Sequence, residues 1–206
     1  MYDSEVPSPI NLKEMKDAKK WESTAMQRPF RMEFFRAFLS ELQSLNLDTL
    51  QILELGSGPG FLAEFFFENL SNLTMTLLDN SVVMHELANN RLAYKLDRVI
   101  FIERDLKEAH WNEGLDKFDA VITLQAVHEL RHKRYAQKLH SQVKPLLRES
   151  GVYLYCDHYF GSDAMGDNRL YMSLEEQRQS LESAGFECRN VFTKGGRALY
   201  RAIVNN

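Results

Sequence analysis

The sequence predicts an α/β fold: a mostly parallel sheet with helices on both faces, an antiparallel hairpin at its carboxyl end and a helical extension ahead of it. Three features carry that prediction. Apolar runs over residues 52–55, 73–78, 99–102, 118–124 and 151–156 have the length and spacing of buried parallel strands. The first run stops at a turn containing Gly56, Gly58 and Gly60, after which a helix-like stretch begins. Two further strand-like segments, 186–192 and 197–204, are joined through Lys194, Gly195 and Gly196, a hairpin signal.

Taken in order, residues 1–10 hold Asp3, Glu5 and two prolines. They lack the basic and apolar segments of a signal peptide and read as a loose tail. Residues 12–21 are charged and helix-compatible, and Pro29 marks a boundary before a second helix over 30–47. In that helix Phe34, Phe35, Phe38, Leu39, Leu42 and Leu45 recur at the spacing of a core-facing stripe. After the glycine turn, residues 61–70 supply a Phe- and Leu-rich helix that packs on the sheet. Residues 80–94 form the next crossover helix, with Asn80 and Ser81 as capping side chains. A further helix over 135–147 is interrupted late by Pro145. The last helix, 173–184, opens on a capping box at Ser173 and Glu176 and stops at Gly185.

Glycines at a strand-to-helix turn permit positive φ and bring the backbone close to a ligand, while the following helix offers free N–H groups. The spacing here is G-x-G-x-G. A dinucleotide turn requires a third glycine where Phe61 stands, and no Lys-Ser or Lys-Thr follows Gly60 as in a phosphate-cradling loop. Glu54 followed by Gly56, Gly58 and Gly60 resembles the first motif of the class I S-adenosylmethionine (SAM) dependent methyltransferases. The resemblance extends over residues 50–204 and implies a Rossmann-like, seven-stranded sheet whose final strands are antiparallel. It also implies one domain over 1–206, with 1–48 a helical extension or lid and 49–206 the cofactor-binding core.

The same resemblance assigns the cofactor site. Asp79, ending the second run about twenty residues past the glycines, stands where an acid accepts hydrogen bonds from a ribose diol. Asp105, with Leu106, matches the position where a carboxylate meets the adenine amine. Glu54, Gly56, Ser57, Gly58, Gly60, Asn80 and Gln125 complete the set expected around SAM and its product S-adenosylhomocysteine. His128 follows the fourth strand, facing the methyl group in this fold, and its imidazole titrates near neutrality, making it the first candidate base. Asp157 and His158, at the end of the fifth strand, are its rivals. Arg28 and Arg31 lie in a segment that folds over cofactor or substrate in relatives, and Tyr159, with Tyr155 and Phe160, offers an aromatic lining.

A competing motif is present. His128-Glu129-Leu130-Arg131-His132 matches H-E-x-x-H, in which two histidines one helical turn apart bind zinc. No third ligand appears at a familiar spacing, and Arg131 would set a cation beside the metal, so no metal is expected and a zinc hydrolase is a remote alternative.

The formal net charge is −4, with acids and bases interspersed, which provides no broad footprint for nucleic acid or anionic membrane. Basic clusters at residues 16–20 and 131–134 read as solvated helix faces. Two cysteines imply no disulfide framework, and a reducing cytoplasm is the expected location. No stretch reaches the length of a membrane-spanning helix. The place after the fourth strand reads Leu124-Gln125-Ala126-Val127-His128, without the proline pair of enzymes that methylate base amino groups. It resembles small-metabolite methyltransferases of the ubiquinone-biosynthesis and trans-aconitate types. The expected function is methyl transfer from SAM to an O, N or S atom of a small molecule, by a monomer or homodimer. An RNA or protein methyltransferase and a non-catalytic SAM-binding regulator are the alternatives.

Overall fold

The computed structural model describes residues 4–205, so Asp3 and the rest of residues 1–3 lie outside it. Two helices, α1 (Met15–Ala25) and α2 (Arg31–Gln43), precede the sheet. The elements β1 (Leu50–Leu55), α3 (Phe61–Asn69), β2 (Leu73–Asp79), α4 (Val82–Arg91) and β3 (Val99–Glu103) build the first half. The second half comprises β4 (Phe118–Leu124), α5 (Ala136–Val143), β5 (Leu147–His158), α6 (Leu174–Ser183), β6 (Phe186–Lys194) and β7 (Arg197–Val204). The strands lie in one seven-stranded sheet of order β3-β2-β1-β4-β5-β7-β6. The first five are parallel, and β7 runs antiparallel to both β5 and β6. This is the Rossmann-like arrangement the glycine turn and terminal hairpin imply.

Alternation of side chains along each strand divides the core between the two faces. Ile52, Ile122 and Leu154 join Phe34, Phe35 and Phe38 of α2 and Phe66 of α3 on one face. Leu53, Val121 and Tyr153 join Leu139 of α5 and Leu181 of α6 on the other. Each fully buried Phe of the α2 stripe contributes about 2 kcal/mol by leaving water, which fixes the extension to the sheet. α1 packs on α4 through Ala18, Met84 and Leu87.

Three local expectations are corrected. The helix over 135–147 stops at Val143. Lys144–Leu146 then tighten into a 3-10 turn around Pro145, because proline lacks the N–H that would continue the helix. β5 starts at Leu147, not Gly151: Leu147 pairs with Phe118, and the register shifts before Ala120 pairs with Val152. Ser150, at φ 66°, sits in that irregularity. The tail is not loose. Val6 exchanges backbone contact with Arg131, whose carbonyl accepts its N–H at 2.8 Å, and the Arg131 guanidinium donates to the carbonyls of Val6 and Pro7 at 2.9 and 2.8 Å. Glu5 receives the Tyr135 hydroxyl at 2.7 Å and pairs with Lys107 at 3.0 Å.

Strand order reverses between β1 and β4, which are neighbours. Chains leaving their carboxyl ends diverge to opposite faces, opening the crevice in which such sheets bind ligands.

Candidate active site

The crevice is built on the glycine turn. Gly56, Gly58 and Gly60 have φ of 66°, 55° and 78°, a region that costs other residues about 1–2 kcal/mol. Gly56 is also a close approach: a Cβ there would lie 2.3 Å from the Ala126 Cβ of the segment after β4. The turn is held from below by the Leu78 carbonyl, which accepts from Gly56 and Ser57 at 2.8 and 3.1 Å. From the side, Asp79 Oδ2 accepts the Gly58 N–H at 2.9 Å and Asp79 Oδ1 accepts that of Ser81 at 3.0 Å. Both oxygens retain lone pairs for a ligand.

Above the turn lies a cavity of about 420 Å³, within the size range of small-molecule sites. It is lined by Glu54, Gly56, Ser57, Gly58, Asp79, Asn80, Asp105, Leu106, Gln125, His128, His158, Arg28 and Arg31. Sequence-predicted residues thus meet at one place. Gly60 stands just behind, as the N-cap of α3. Glu54 Oε2, Ser57 Oγ and Gln125 Oε1 are buried without a hydrogen-bond partner, so polar capacity points into the cavity unfilled. Burial pushes the Glu54 carboxyl up to about 8, against the opposing pull of Arg31, and burial also raises Asp79.

At the far wall the loop after β4 meets the end of β5. His128 Nδ1 lies 2.5 Å from Asp157 Oδ1, and the His128 N–H donates to Asp157 Oδ2 at 2.8 Å. Asp157 is 2% exposed. Burial alone would lower the His128 pKa, but the Asp157 carboxylate overrides it and lifts the imidazole to about 10, while His128 in return holds Asp157 below its ordinary value against the burial that would raise it. His158 has the opposite fate: burial drops it to about 4, and its Nε2 faces Gln125 Nε2 at 2.5 Å. Gln125 itself takes φ 57°, a strained conformation fixed by its N–H bond to the Cys156 carbonyl at 2.8 Å.

Residues 52–151 match the family model described as a methyltransferase domain. That likeness covers just under half of the chain. The fold agrees. A SAM-dependent methyltransferase from Clostridium acetobutylicum ATCC 824 superposes with a TM-score of 0.72 at 13% identity, over 93% of this chain and 98% of that one. DhpI in complex with SAH gives 0.69 at 20% identity, over 93% and 95%. A TehB-like SAM-dependent methyltransferase from Corynebacterium glutamicum ATCC 13032 gives 0.69 at 14%, over 95% and 100%. None of the curated proteins matches significantly.

In this loop after β4 the H-E-x-x-H segment is not a helix. A single 3-10 turn, Val127–Leu130, ends at Arg131, which adopts φ 66°. His128 and His132 therefore do not share a helical face, and His132 Nδ1 instead accepts the Arg134 N–H at 3.1 Å. Glu129 is taken by His128 and Arg131, each at 3.2 Å. The aromatic lining expected from the fifth strand is also absent from the cavity. Tyr159 is buried with its hydroxyl on Asp163 at 2.8 Å, and Tyr155 is in the core below the sheet.

Other residues around the cavity were missed. Tyr171 stands with its ring centroid 5.5 Å from His128 and 5.9 Å from His158. Gln177 donates to the His158 carbonyl at 2.8 Å. Ser8, Ile10, Leu12 and Arg131 join the lining. Only the odd placement of Arg131 inside an apparent metal motif hinted at any of them.

Proposed function

We propose that this chain transfers a methyl group from SAM to an O, N or S atom of a small-molecule acceptor. The observation that carries the reading is the joining, across one cavity, of the glycine turn held by Asp79 with the buried His128–Asp157 pair. SAM, when bound, supplies an electrophilic sulfonium methyl; the chain's own residues supply position, dryness and a proton acceptor. Asp79 accepts the ribose hydroxyls, Asp105 the adenine amine, and Glu54, Ser57 and Gln125 engage the amino-acid end with their unfilled polar atoms. Of the extension, the segment around Ile10–Leu12 with Trp21, Arg28 and Arg31 covers the crevice, a reading supported by their place in its lining. Holding an acceptor in line with the methyl, away from water, can supply up to about 10 kcal/mol.

In its neutral form, which the Asp157 carboxylate holds back until about pH 10, His128 takes the acceptor's proton at Nε2 in place of its contact with Glu129, a step worth about 10²- to 10⁴-fold for a hydroxyl or amine. His158, kept neutral, orients Gln125 and limits the space beside the imidazole. Arg28 and Arg31 serve the acceptor side. We place the protein in the cytoplasm, as a monomer or homodimer of one domain, a reading supported by its two free thiols.

Isothermal titration tests the core of this reading. The protein should bind SAM and SAH with micromolar affinity, and Asp79→Ala should weaken SAH by about 2 kcal/mol through lost charge-assisted hydrogen bonds. Failure of folded protein to bind either ligand refutes the proposal, and an affinity unmoved by Asp79→Ala removes that residue from the site. Label transfer from SAM into fractionated metabolites then identifies the acceptor.

A further inference from the structure

The cations around the cavity differ in whether anything answers them. Arg104 donates to the carbonyls of Trp111 and Glu113, Arg131 to Val6, Pro7 and Glu129, and Lys107 to Glu5. Arg28 and Arg31 have no such partner among the described residues. Neither forms an ion pair or donates a side-chain hydrogen bond, and Arg31, only 8% exposed, keeps a buried Nε unpaired. What holds them is aromatic. Arg28 lies 4.7 Å over the Trp21 ring, and Arg31 is 5.6 Å from the same ring and 5.5 Å from that of Phe35. Such stacking orients a guanidinium but leaves its N–H fork open.

We propose that Arg28 and Arg31 form an anion subsite, and that the methyl acceptor carries a phosphate, phosphonate or carboxylate group bound between them. The inference rests on the methyl-transfer reading above and names the acceptor's chemical class. Arg31 is buried without a paired carboxylate and half-buried Arg28 sets a second positive charge close enough to oppose its own, and desolvated charge of one sign calls for a counter-ion, so the pair is completed by an anionic ligand. The nearby acids do not supply the charge. Glu54, raised to about 8, is largely protonated at neutral pH, whereas Arg31, lowered by burial and by Arg28 only to about 10, stays charged. Glu129 raises Arg28 only through space, since its oxygens pair with His128 and Arg131. The reacting end of SAM does not supply it either. Its one carboxylate is outnumbered by its ammonium and sulfonium, so the cofactor adds positive charge. An acceptor oxyanion is the remaining source, and Arg28 and Arg31 reach it from the lid side of the cavity that His128 also lines.

Inorganic phosphate and acetate are the probes, titrated at constant ionic strength into the protein alone and saturated with SAH, and read by calorimetry and by fluorescence of Trp21 beneath Arg28. A Trp21→Phe variant separates that signal from Trp111. The SAH-loaded protein should bind one of the anions saturably, at roughly millimolar Kd or tighter. Arg28→Gln, on the more exposed of the two arginines, should weaken it by about tenfold or more, and Arg31→Gln likewise, with Arg28→Lys retaining part of the affinity. SAH affinity should move by less than about threefold. Preference for phosphate assigns a phosphate or phosphonate acceptor, and preference for acetate a carboxylate.

Absence of saturable anion binding, or binding indifferent to both arginines, overturns the proposal. It is also overturned if SAH displaces the anion and the variants weaken SAH instead, since the arginines would then hold the cofactor's own carboxylate. Loss of SAH binding in the unmodified protein is a different failure: it removes the methyl-transfer reading, and with it the assignment of the anion to an acceptor.

Discussion

Replacing Asp157 by Asn removes the charge that answers His128 while keeping its volume. In the native protein His128 rises from an ordinary 6.5 to about 10, and at about 1.4 kcal/mol per pKa unit that difference corresponds to roughly 5 kcal/mol of interaction with the protonated imidazole. Both groups are well buried, with side-chain exposures of 12% and 2%, so little of this is lost to solvent screening. Breaking a buried pair from one side costs about 3–5 kcal/mol, and that is the destabilisation expected for Asp157→Asn at pH 6. The pH dependence follows from linkage. A raised histidine pKa adds stability that is complete below the unfolded value of 6.5 and disappears as pH climbs through about 10. The lowered Asp157 adds stability that is present above 3.8 and fades as pH falls through its folded value. Urea unfolding of both proteins at pH 6, 8 and 10 measures the gap. It should be widest at pH 6 and narrow toward pH 10. A gap below about 1 kcal/mol at pH 6, or one that stays constant to pH 10, would show that the pair carries no buried charge interaction.

Gly56→Ala should unfold at a temperature lower by several degrees, because its Cβ would meet that of Ala126 at 2.3 Å in a left-handed backbone; a destabilisation of about 2–3 kcal/mol is expected from calorimetry. Arg131→Ala should release residues 5–7, seen as faster amide exchange at Val6 and faster SAH dissociation by stopped flow, with Tm lowered by little. If His128 is the base, methyl transfer to a hydroxyl or amine acceptor should gain rate as pH rises from 7 toward 10, and Asp157→Asn should move that rise toward the ordinary histidine range. A profile identical in both proteins would eliminate the pair from proton transfer.

The glycine-turn side of the cavity was legible because its signals are local. Gly56, Gly58 and Gly60 announce a backbone that other residues adopt at a cost, and Asp79 and Asp105 follow strands whose apolar runs are continuous, so their positions are set by topology alone. The far wall was legible only as candidates. His128 and Asp157 were each named, yet nothing in their neighbourhoods says that they touch, since the contact joins the ends of two strands paired through Leu124 and Cys156. Tyr159 failed for a related reason: an aromatic just past a strand end has the right composition for a pocket wall, but its hydroxyl found Asp163 and its ring the core. The H-E-x-x-H match misled because a motif presumes a helix, and Arg131 ends the turn after a single winding to reach the tail. The tail has little pattern of its own to betray its docking, since Arg131 takes the Val6 and Pro7 carbonyls, groups any sequence possesses, and a single acid, Glu5, makes the side-chain contacts to Tyr135 and Lys107.

The closing contacts impose an order on the life of the chain. Val6 and Pro7 are tied down by Arg131, and the Pro29 carbonyl beside Arg28 by Arg197, across separations of 125, 124 and 168 residues. At a synthesis rate of about 5–20 residues per second, the ribosome delivers these arginines roughly 6–30 s after the segments they secure. The Val6, Pro7 and Pro29 carbonyls are therefore secured long after they leave the ribosome. A nascent chain can complete its glycine turn once β1 and β2 pair, long before it has a covered cavity.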